Sequence, residues 1–236
     1  MQQLSKSRSV LFHLYPGLII VLCFILLTPV LLQHNYPAQM GILLSIVIAA
    51  LPLLLIHLRS ARKKESGKRF VDINGFRNKL PRKKLVLYVA GLVVFAFIIW
   101  GITEPLNKII ISKIFTWLPS WFTIQDFTGY DKNVIILTLV LNLVINGLIA
   151  PYVEEYYFRG YLLPRMQAWG RQAFMINTIL FSTYHFWQPY IWLTLIISLM
   201  PMTYIVWKTK DIRVAIYTHC LLNIIGALLS FGLVAK

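Results

Sequence analysis

Long apolar runs follow one another along the whole chain, and short polar or charged stretches separate them. Runs of about 18 or more apolar residues are long enough to cross the hydrocarbon core of a bilayer as helices. The ten-residue alternation typical of membrane β-barrels does not occur. The pattern therefore predicts an all-α fold, a polytopic transmembrane helical bundle of about seven spans. The predicted spans are 10–33, 40–58, 85–103, 136–163, 173–189, 190–207 and 211–234.

Composition supports this prediction. Of the 236 residues, 58% are hydrophobic and 13% are charged, whereas an average soluble domain has roughly 25% charged residues. The first span follows Lys6 and Arg8 and is longer than the apolar core of a signal peptide, so it is expected to remain as an anchor. Cys23 and Cys220 lie in separate apolar segments, which favours two buried thiols over a disulfide.

Basic residues indicate the orientation of the chain in the membrane. Eleven of the 23 lysine and arginine residues lie in the loop 59–84. Under the positive-inside rule this loop and the N-terminus are cytoplasmic. We interpret the net charge of +15 as topology and contact with anionic lipid head groups, not as a nucleic-acid surface. The segment 104–132, with Trp117 and Trp121, predicts an amphipathic helix at the outer interface; a re-entrant segment is the alternative.

The sequence EEYYFRG at 154–160 introduces charge into the fourth span. Neighbouring helical residues point about 100° apart, so Glu154 and Glu155 cannot aim at one point. Glu155 and Arg159 are one turn apart, in the order that favours an ion pair. The spacing predicts that this pair supports the helix and leaves Glu154 free for chemistry. The alternative is that the three side chains only neutralise one another.

Two further pairs introduce histidines into later spans. Phe181 and His185 are one turn apart, so the phenyl ring can pack against the imidazole and orient it. His219 and Asn223, also one turn apart, offer two hydrogen-bond donors that suit a developing anion. Each histidine alone is also typical of hydrogen bonding between membrane helices. If the fourth span continues through its motif, Glu154 and both histidines lie about 12–18 Å from the inner ends of their spans, which predicts one shared buried site.

Four other polar residues lie in or beside spans. His13 and His57 are at span ends, where an interfacial position accounts for them without a function. Asn142 and Asn146 are one turn apart in the fourth span. We expect them to pack between helices, and the alternative is that they line a cavity above Glu154.

The three motifs, in this order, resemble those of a known family. They are EExxxR at 154–159, FxxxH at 181–185 and HxxxN at 219–223. They are similar to the motifs of the CPBP family, which comprises CAAX proteases and bacteriocin-processing enzymes and is also called the Abi family. The resemblance covers roughly residues 136–230. It implies an intramembrane endopeptidase with a four-helix catalytic core.

The resemblance also implies catalytic roles. Glu154 and His185 would activate a water molecule, and His219 and Asn223 would form the oxyanion hole. No cofactor is favoured. The alternative is a zinc ion held by Glu154, His185 and His219, since two histidines and a carboxylate can form a catalytic zinc site.

Supporting roles and a division of the chain complete this hypothesis. Glu155, Arg159 and Phe181 would hold the catalytic residues in position. Residues 1–132 would form N-terminal transmembrane helices with the basic loop and the interfacial segment. Residues 133–236 would form the catalytic core.

The expected substrate is a membrane-associated peptide or protein, in peptide or bacteriocin maturation or in self-immunity at a bacterial plasma membrane. The expected partners are membrane lipids and this substrate, without nucleic acid, and no oligomeric state is predicted. One alternative is a catalytically silent scaffold or immunity protein that binds a peptide or a membrane partner. Another is a transporter, which the absence of an inverted repeat disfavours.

Overall fold

The computed structural model describes residues 2–65 and 70–234, which form a bundle of long helices. The described residues contain no β-strand; Arg77 and Asp211 form an isolated backbone bridge. The predicted all-α bundle is therefore confirmed. The helices are α1 (Lys6–Gln33), α2 (Ala38–Lys64), α3 (Arg82–Lys113), α4 (Lys132–Arg165), α5 (Ala173–Tyr184), α6 (Trp192–Thr209) and α7 (Arg213–Val234). Lys68 and Arg69 of the predicted basic loop lie outside the described residues.

Six of these helices are long and apolar enough to cross a membrane, and α5 is shorter than its predicted span. Helix α5 has 12 residues, which rise about 18 Å against a hydrocarbon core of about 30 Å. The prediction covers 173–189, but the helix ends at Tyr184 and the backbone leaves helical geometry at His185. The short helix therefore presents His185 at its C-terminal end.

Two prolines widen the turns that precede them. Pro52 in α2 and Pro151 in α4 each follow a π-helical turn, at Ile46–Ala50 and Ile145–Ile149. Proline has no N–H, and its ring collides with the carbonyl one turn earlier, so an extra residue in the turn relieves the clash while the helix continues. A third π-helical stretch, Tyr156–Leu162, contains most of the EEYYFRG motif.

The segment 104–132 differs from its prediction. Residues 104–113 continue α3 through Pro105, and residues 114–131 form turns with a short 3₁₀ helix at Ser120–Phe122. The prediction of one amphipathic helix over this segment is therefore wrong. The long α3 accommodates Pro105 because one missing hydrogen bond does not end a helix that neighbouring turns support.

Connections between helices meet at two ends of the bundle. The basic end is formed by the N-terminal residues and the connections after α2, α4 and α6. The Leu4 N–H donates to the carbonyl of Arg165 at 2.9 Å, and the Arg165 guanidinium donates to Glu65 at 2.8 Å. The Asn78 N–H donates to the carbonyl of Lys210 at 2.9 Å. These contacts join all four segments, which are the ones predicted to lie on the inner side.

The connections after α1, α3 and α5 form the opposite end. The carbonyl of Phe122, after α3, accepts a hydrogen bond from the hydroxyl of Tyr190, after α5, at 3.2 Å. The ring of Phe122 lies 5.4 Å from that of Phe24 in α1. The two ends thus alternate along the chain, as the predicted spans require.

Helix α1 packs closely against the end of α5, next to His185. A Cβ atom at Gly17 would overlap the carbonyl oxygen of Tyr184. One helical turn earlier, the fully buried His13 bonds through Nδ1 to the carbonyl of Ser9 at 2.6 Å, and its Nε2 accepts from the amide of Asn177 at 2.9 Å. His13 therefore joins α1 to α5, and an interfacial position alone does not account for it.

His57 also has partners within the bundle. Its Nδ1 lies 2.7 Å from the hydroxyl of Tyr157 and 3.2 Å from that of Tyr15. The ring of Phe12 packs edge-on against the imidazole, with 4.4 Å between the ring centroids. His57 therefore joins α2 to α1 and α4, and an interfacial position alone does not account for it.

Candidate active site

The three motifs meet at one cavity of about 160 Å³. Its wall includes the four residues predicted to carry the chemistry, namely Glu154, His185, His219 and Asn223. Glu154 comes from α4, His185 from the end of α5, and the other two from α7. Residues of α2, α3 and α6 and of the opposite end complete the wall. The spans thus bring together side chains that are up to 69 positions apart in the sequence.

A buried charge network lies behind this cavity. The Arg159 guanidinium donates to Glu155 Oε1 at 3.0 Å, and neither side chain is exposed. The same oxygen accepts a hydrogen bond from His219 Nδ1 at 2.8 Å. The predicted pair between Glu155 and Arg159 is therefore present, and it also reaches the histidine of the third motif. Since a carboxylate only accepts, His219 carries a proton on Nδ1 and directs Nε2 elsewhere.

The Arg159 side chain also contacts the second motif. Its guanidinium carbon lies 3.8 Å from the centre of the Phe181 ring, a cation–π contact. The same ring makes a T-shaped contact with the imidazole of His185, with 5.0 Å between the ring centroids. Phe181 therefore separates the buried ion pair from His185, and the predicted packing between Phe181 and His185 is observed.

Glu154 has a different hydrogen-bond partner from Glu155. Its side chain lines the cavity, and its Oε1 accepts a hydrogen bond from the hydroxyl of Tyr184 at 3.2 Å. Glu154 is buried, so its carboxylate has little contact with solvent in the described structure. The adjacent glutamates thus occupy different environments, as the helical spacing predicts.

The imidazole of His185 is held in one tautomer. Its Nδ1 lies 2.9 Å from the carbonyl oxygen of Phe181, and because a carbonyl only accepts, Nδ1 carries the proton. In the neutral ring, Nε2 is then a hydrogen-bond acceptor. The ring of Trp187 lies 4.9 Å from the imidazole, and Trp192 Nε1 donates to the His185 carbonyl at 3.1 Å. These contacts fix the ring position at the end of α5.

Asn223 makes a contact that depends on the π-helical turn before Pro151. The Ala150 N–H donates to the carbonyl of Ile145, and Pro151 has no N–H, so the carbonyl of Asn146 has no helical donor. Asn223 Nδ2 donates to this carbonyl at 2.7 Å. One N–H of the Asn223 amide is therefore engaged, and the second remains as a donor.

The described residues include no group of three or more histidine, cysteine, aspartate or glutamate side chains arranged to hold a metal ion. The zinc alternative, Glu154, His185 and His219, lies entirely within this range. These three side chains line the same cavity but do not form a ligand cluster. Their arrangement gives the zinc alternative no support.

Some residues in or behind the cavity wall were not singled out from the sequence. Tyr184 directly precedes His185, and only the structure reveals its bond to Glu154. Gln39, Gln125 and Gln188 line the cavity. In the sequence, the signal that could have identified them is their position at the borders of apolar runs. Asn146 lines the cavity, which agrees with the alternative stated for it and not with packing between helices alone. Asn142 instead accepts a hydrogen bond from Gln39 at 2.9 Å.

Comparison with protein-family models matches residues 136–225 to the family described as type II CAAX prenyl endopeptidase Rce1-like. The matched range begins in α4, ends in α7 and contains all three motifs. Searches of curated proteins and of solved structures give no match. With six apolar helices, the match indicates a membrane protein and supports an intramembrane CAAX-type endopeptidase activity. Residues 136–225, with all three motifs, thus match the model of a family that belongs to the CPBP proteases.

Proposed function

We propose that this protein hydrolyses peptide bonds of membrane-associated peptides or proteins with a water molecule that Glu154 activates. The observation that carries the proposal is the different position of two adjacent glutamates. Glu155 is engaged by Arg159 and His219, whereas Glu154 lines the cavity with His185 and Asn223. A carboxylate that lines a cavity beside hydrogen-bonding groups suits general-base chemistry.

In the proposed reaction, the Glu154 carboxylate takes a proton from water as the water oxygen bonds to the carbonyl carbon of the substrate. The electron pair of the carbonyl double bond moves to its oxygen. When the tetrahedral intermediate collapses, the carbon–nitrogen bond breaks, and the leaving amine takes the proton from Glu154. Water is consumed, a carboxylic acid and an amine form, and Glu154 returns to its initial state.

His185 is proposed to orient the attacking water. Its Nδ1–H is bound to the Phe181 carbonyl, so Nε2 can accept a hydrogen bond from the water. The water would then be held between Nε2 and the Glu154 carboxylate. The Tyr184 hydroxyl, bound to Glu154 Oε1, would hold that carboxylate in place.

Asn223 and His219 are proposed to stabilise the oxyanion. The second N–H of the Asn223 amide can donate to the developing charge, because Asn146 occupies only the first. His219 can donate from Nε2 when its imidazole is protonated, since Nδ1–H is already bound to Glu155. The Glu155–Arg159 pair would fix the imidazole in this orientation.

The proposed setting is a bacterial plasma membrane with the N-terminus in the cytoplasm. The distribution of basic residues supports this orientation. The proposed substrates are peptides of the kind processed in peptide or bacteriocin maturation or in self-immunity. This part of the proposal rests on the resemblance of the three motifs to the CPBP family.

The proposal is tested in cells by mass spectrometry of peptide termini. Cells carrying wild-type protein, Glu154→Gln or His185→Ala are compared at matched expression. We expect a small set of new termini in cell-associated or secreted peptides with wild type, and the same termini missing in both variants. Glu104→Gln is the matched control, because Glu104 is exposed and remote in sequence from the three motifs; it should keep the wild-type termini.

Identical termini in wild type and Glu154→Gln would contradict the proposal. A phenotype that depends on the protein but survives Glu154→Gln would then favour the non-catalytic scaffold.

A further inference from the structure

The cavity is closed toward the basic end of the bundle. The π-helical stretch Tyr156–Leu162 lies between Glu154 and that end, and every residue in it is buried. The side chains of Tyr157, Phe158 and Arg159 have no exposed surface at all. A substrate segment approaching from the basic end would have to displace this packed layer.

Toward the opposite end, the lining residues belong to connections between helices. Ile124 and Gln125 follow α3, and Trp187 and Gln188 follow α5. Gln125 is exposed, and Gln188 is partly exposed. The cavity therefore extends from Glu154 to a polar surface at the opposite end.

The two ends differ in charge. Among the described residues, the opposite end and the adjoining helix termini carry equal numbers of basic and acidic residues: Lys108, Lys113 and Lys132 with Glu104, Asp126 and Asp131. The basic end carries most of the lysine and arginine residues of the chain. Under the positive-inside rule, the opposite end is extracytoplasmic.

The cavity wall has a chemical character that suits a peptide. Five carboxamide side chains line it: Gln39, Gln125, Asn146, Gln188 and Asn223. A carboxamide offers both a donor and an acceptor, as does each peptide group of a main chain. The other lining residues include the apolar side chains of Ile42, Ile46, Ile191 and Leu195. Lysine and arginine are absent from the lining residues, all of which the structure describes.

We propose that a peptide segment reaches Glu154 from the extracytoplasmic end of the bundle, and that the carboxamides bind its main chain. The substrates are then polypeptides exposed at, or exported to, the extracytoplasmic surface, with uncharged residues beside the scissile bond. The chemistry at Glu154 rests on the proposed function, whereas the direction of access does not depend on hydrolysis.

Labelling of engineered cysteines tests the direction of access. In a background with Cys23→Ser and Cys220→Ser, the reporters are Asn146→Cys inside the cavity and Gln125→Cys at its opening. The control at the basic end is Lys79→Cys, and the lipid-facing control is Leu137→Cys, at a residue 46% exposed on α4. Each variant is treated with a small, charged, membrane-impermeant thiol reagent in intact and in permeabilised cells.

We expect both reporters to react in intact cells, Lys79→Cys to react only after permeabilisation, and Leu137→Cys to remain unmodified in both. Reaction of Asn146→Cys only in permeabilised cells, or in neither preparation, would overturn the proposed route. These readouts need no catalytic activity, so they separate a wrong route from a wrong reaction.

Recognition by the carboxamides has a separate readout. Gln125→Ala removes a carboxamide at the opening and should raise KM for a peptide identified by terminus mapping about 2- to 10-fold, with kcat nearly unchanged. Thr123→Ala, in the same exposed segment but outside the cavity wall, is the control and should leave both constants unchanged. A fall in kcat alone, or equal effects of the two substitutions, would overturn the role of Gln125.

Discussion

At the residue scale, the main feature is the different surroundings of two adjacent glutamates. The pairing of Glu155 with Arg159 was predictable because both residues lie on one helix, one turn apart. The bond between Glu155 and His219 joins residues 64 positions apart, and the bond between Tyr184 and Glu154 joins residues 30 positions apart. These depend on how helices pack, so local spacing could not predict them.

The two glutamates should respond differently to the same substitution. Glu155→Gln removes the charge of the carboxylate that is paired with the buried Arg159 guanidinium. We expect it to lower the free energy of unfolding by about 3–5 kcal/mol. Glu154→Gln removes a carboxylate that makes no ion pair, so its free energy of unfolding should stay within about 1 kcal/mol of wild type. Equilibrium unfolding of both variants in the same lipid–detergent mixture makes the comparison, and equal losses would contradict the division of roles.

At the element scale, helix interruptions position the site. The hydropathy pattern predicted long spans but not the end of α5 at Tyr184. The residues of the turn after Tyr184 are also largely apolar, so hydropathy does not mark where the helix ends. It also did not predict that the turn before Pro151 would free the Asn146 carbonyl for Asn223. That consequence requires the partner helix α7 to be in place.

The close contact between α1 and the end of α5 gives a prediction at this scale. Gly17→Ala places a methyl group against the Tyr184 carbonyl, so α5 must shift and move His185. We expect a loss of about 1–3 kcal/mol in the free energy of unfolding and a lower kcat. The control is Gly91→Ala in α3, where a Cβ meets nothing within 4 Å; it should stabilise the helix by about 0.5–1 kcal/mol. Equal thermal stability of the two variants would argue against the tight contact.

At the scale of the whole molecule, the two ends of the bundle differ in charge and in connectivity. Hydropathy and basic residues predicted which segments share an end, because these patterns extend over the whole chain. They did not predict the hydrogen bonds that join the segments of the basic end to one another. There, Asp211 Oδ2 accepts from the Leu80 N–H at 2.7 Å, and Arg213 donates to both oxygens of Asp211.

The hydrogen bonds of Asp211 predict that the free energy of unfolding depends on pH. Burial raises the pKa of Asp211, but the bonds from Arg213 and the Leu80 N–H outweigh it, and the pKa lies below its ordinary value. The ionised carboxylate therefore stabilises the folded protein at neutral pH, and this contribution is lost as the pH falls through the lowered pKa. Asp211→Asn should reduce the free energy of unfolding by about 1–2 kcal/mol at pH 7. The difference from wild type should disappear well below about pH 4, the ordinary aspartate value; a difference that persists there would refute this account.

The central claim is that Glu154 activates the water that hydrolyses the substrate. The most direct measurement is the hydrolysis rate of an identified peptide by purified protein in lipid nanodiscs, with a metal chelator present. Wild type, Glu154→Gln and the exposed control Glu104→Gln are compared at equal folded concentration. The account predicts that wild type and Glu104→Gln retain activity with the chelator, and that Glu154→Gln lowers kcat by about 10²- to 10⁴-fold with KM nearly unchanged. A kcat for Glu154→Gln within about threefold of wild type, or activity that requires added zinc, would contradict it.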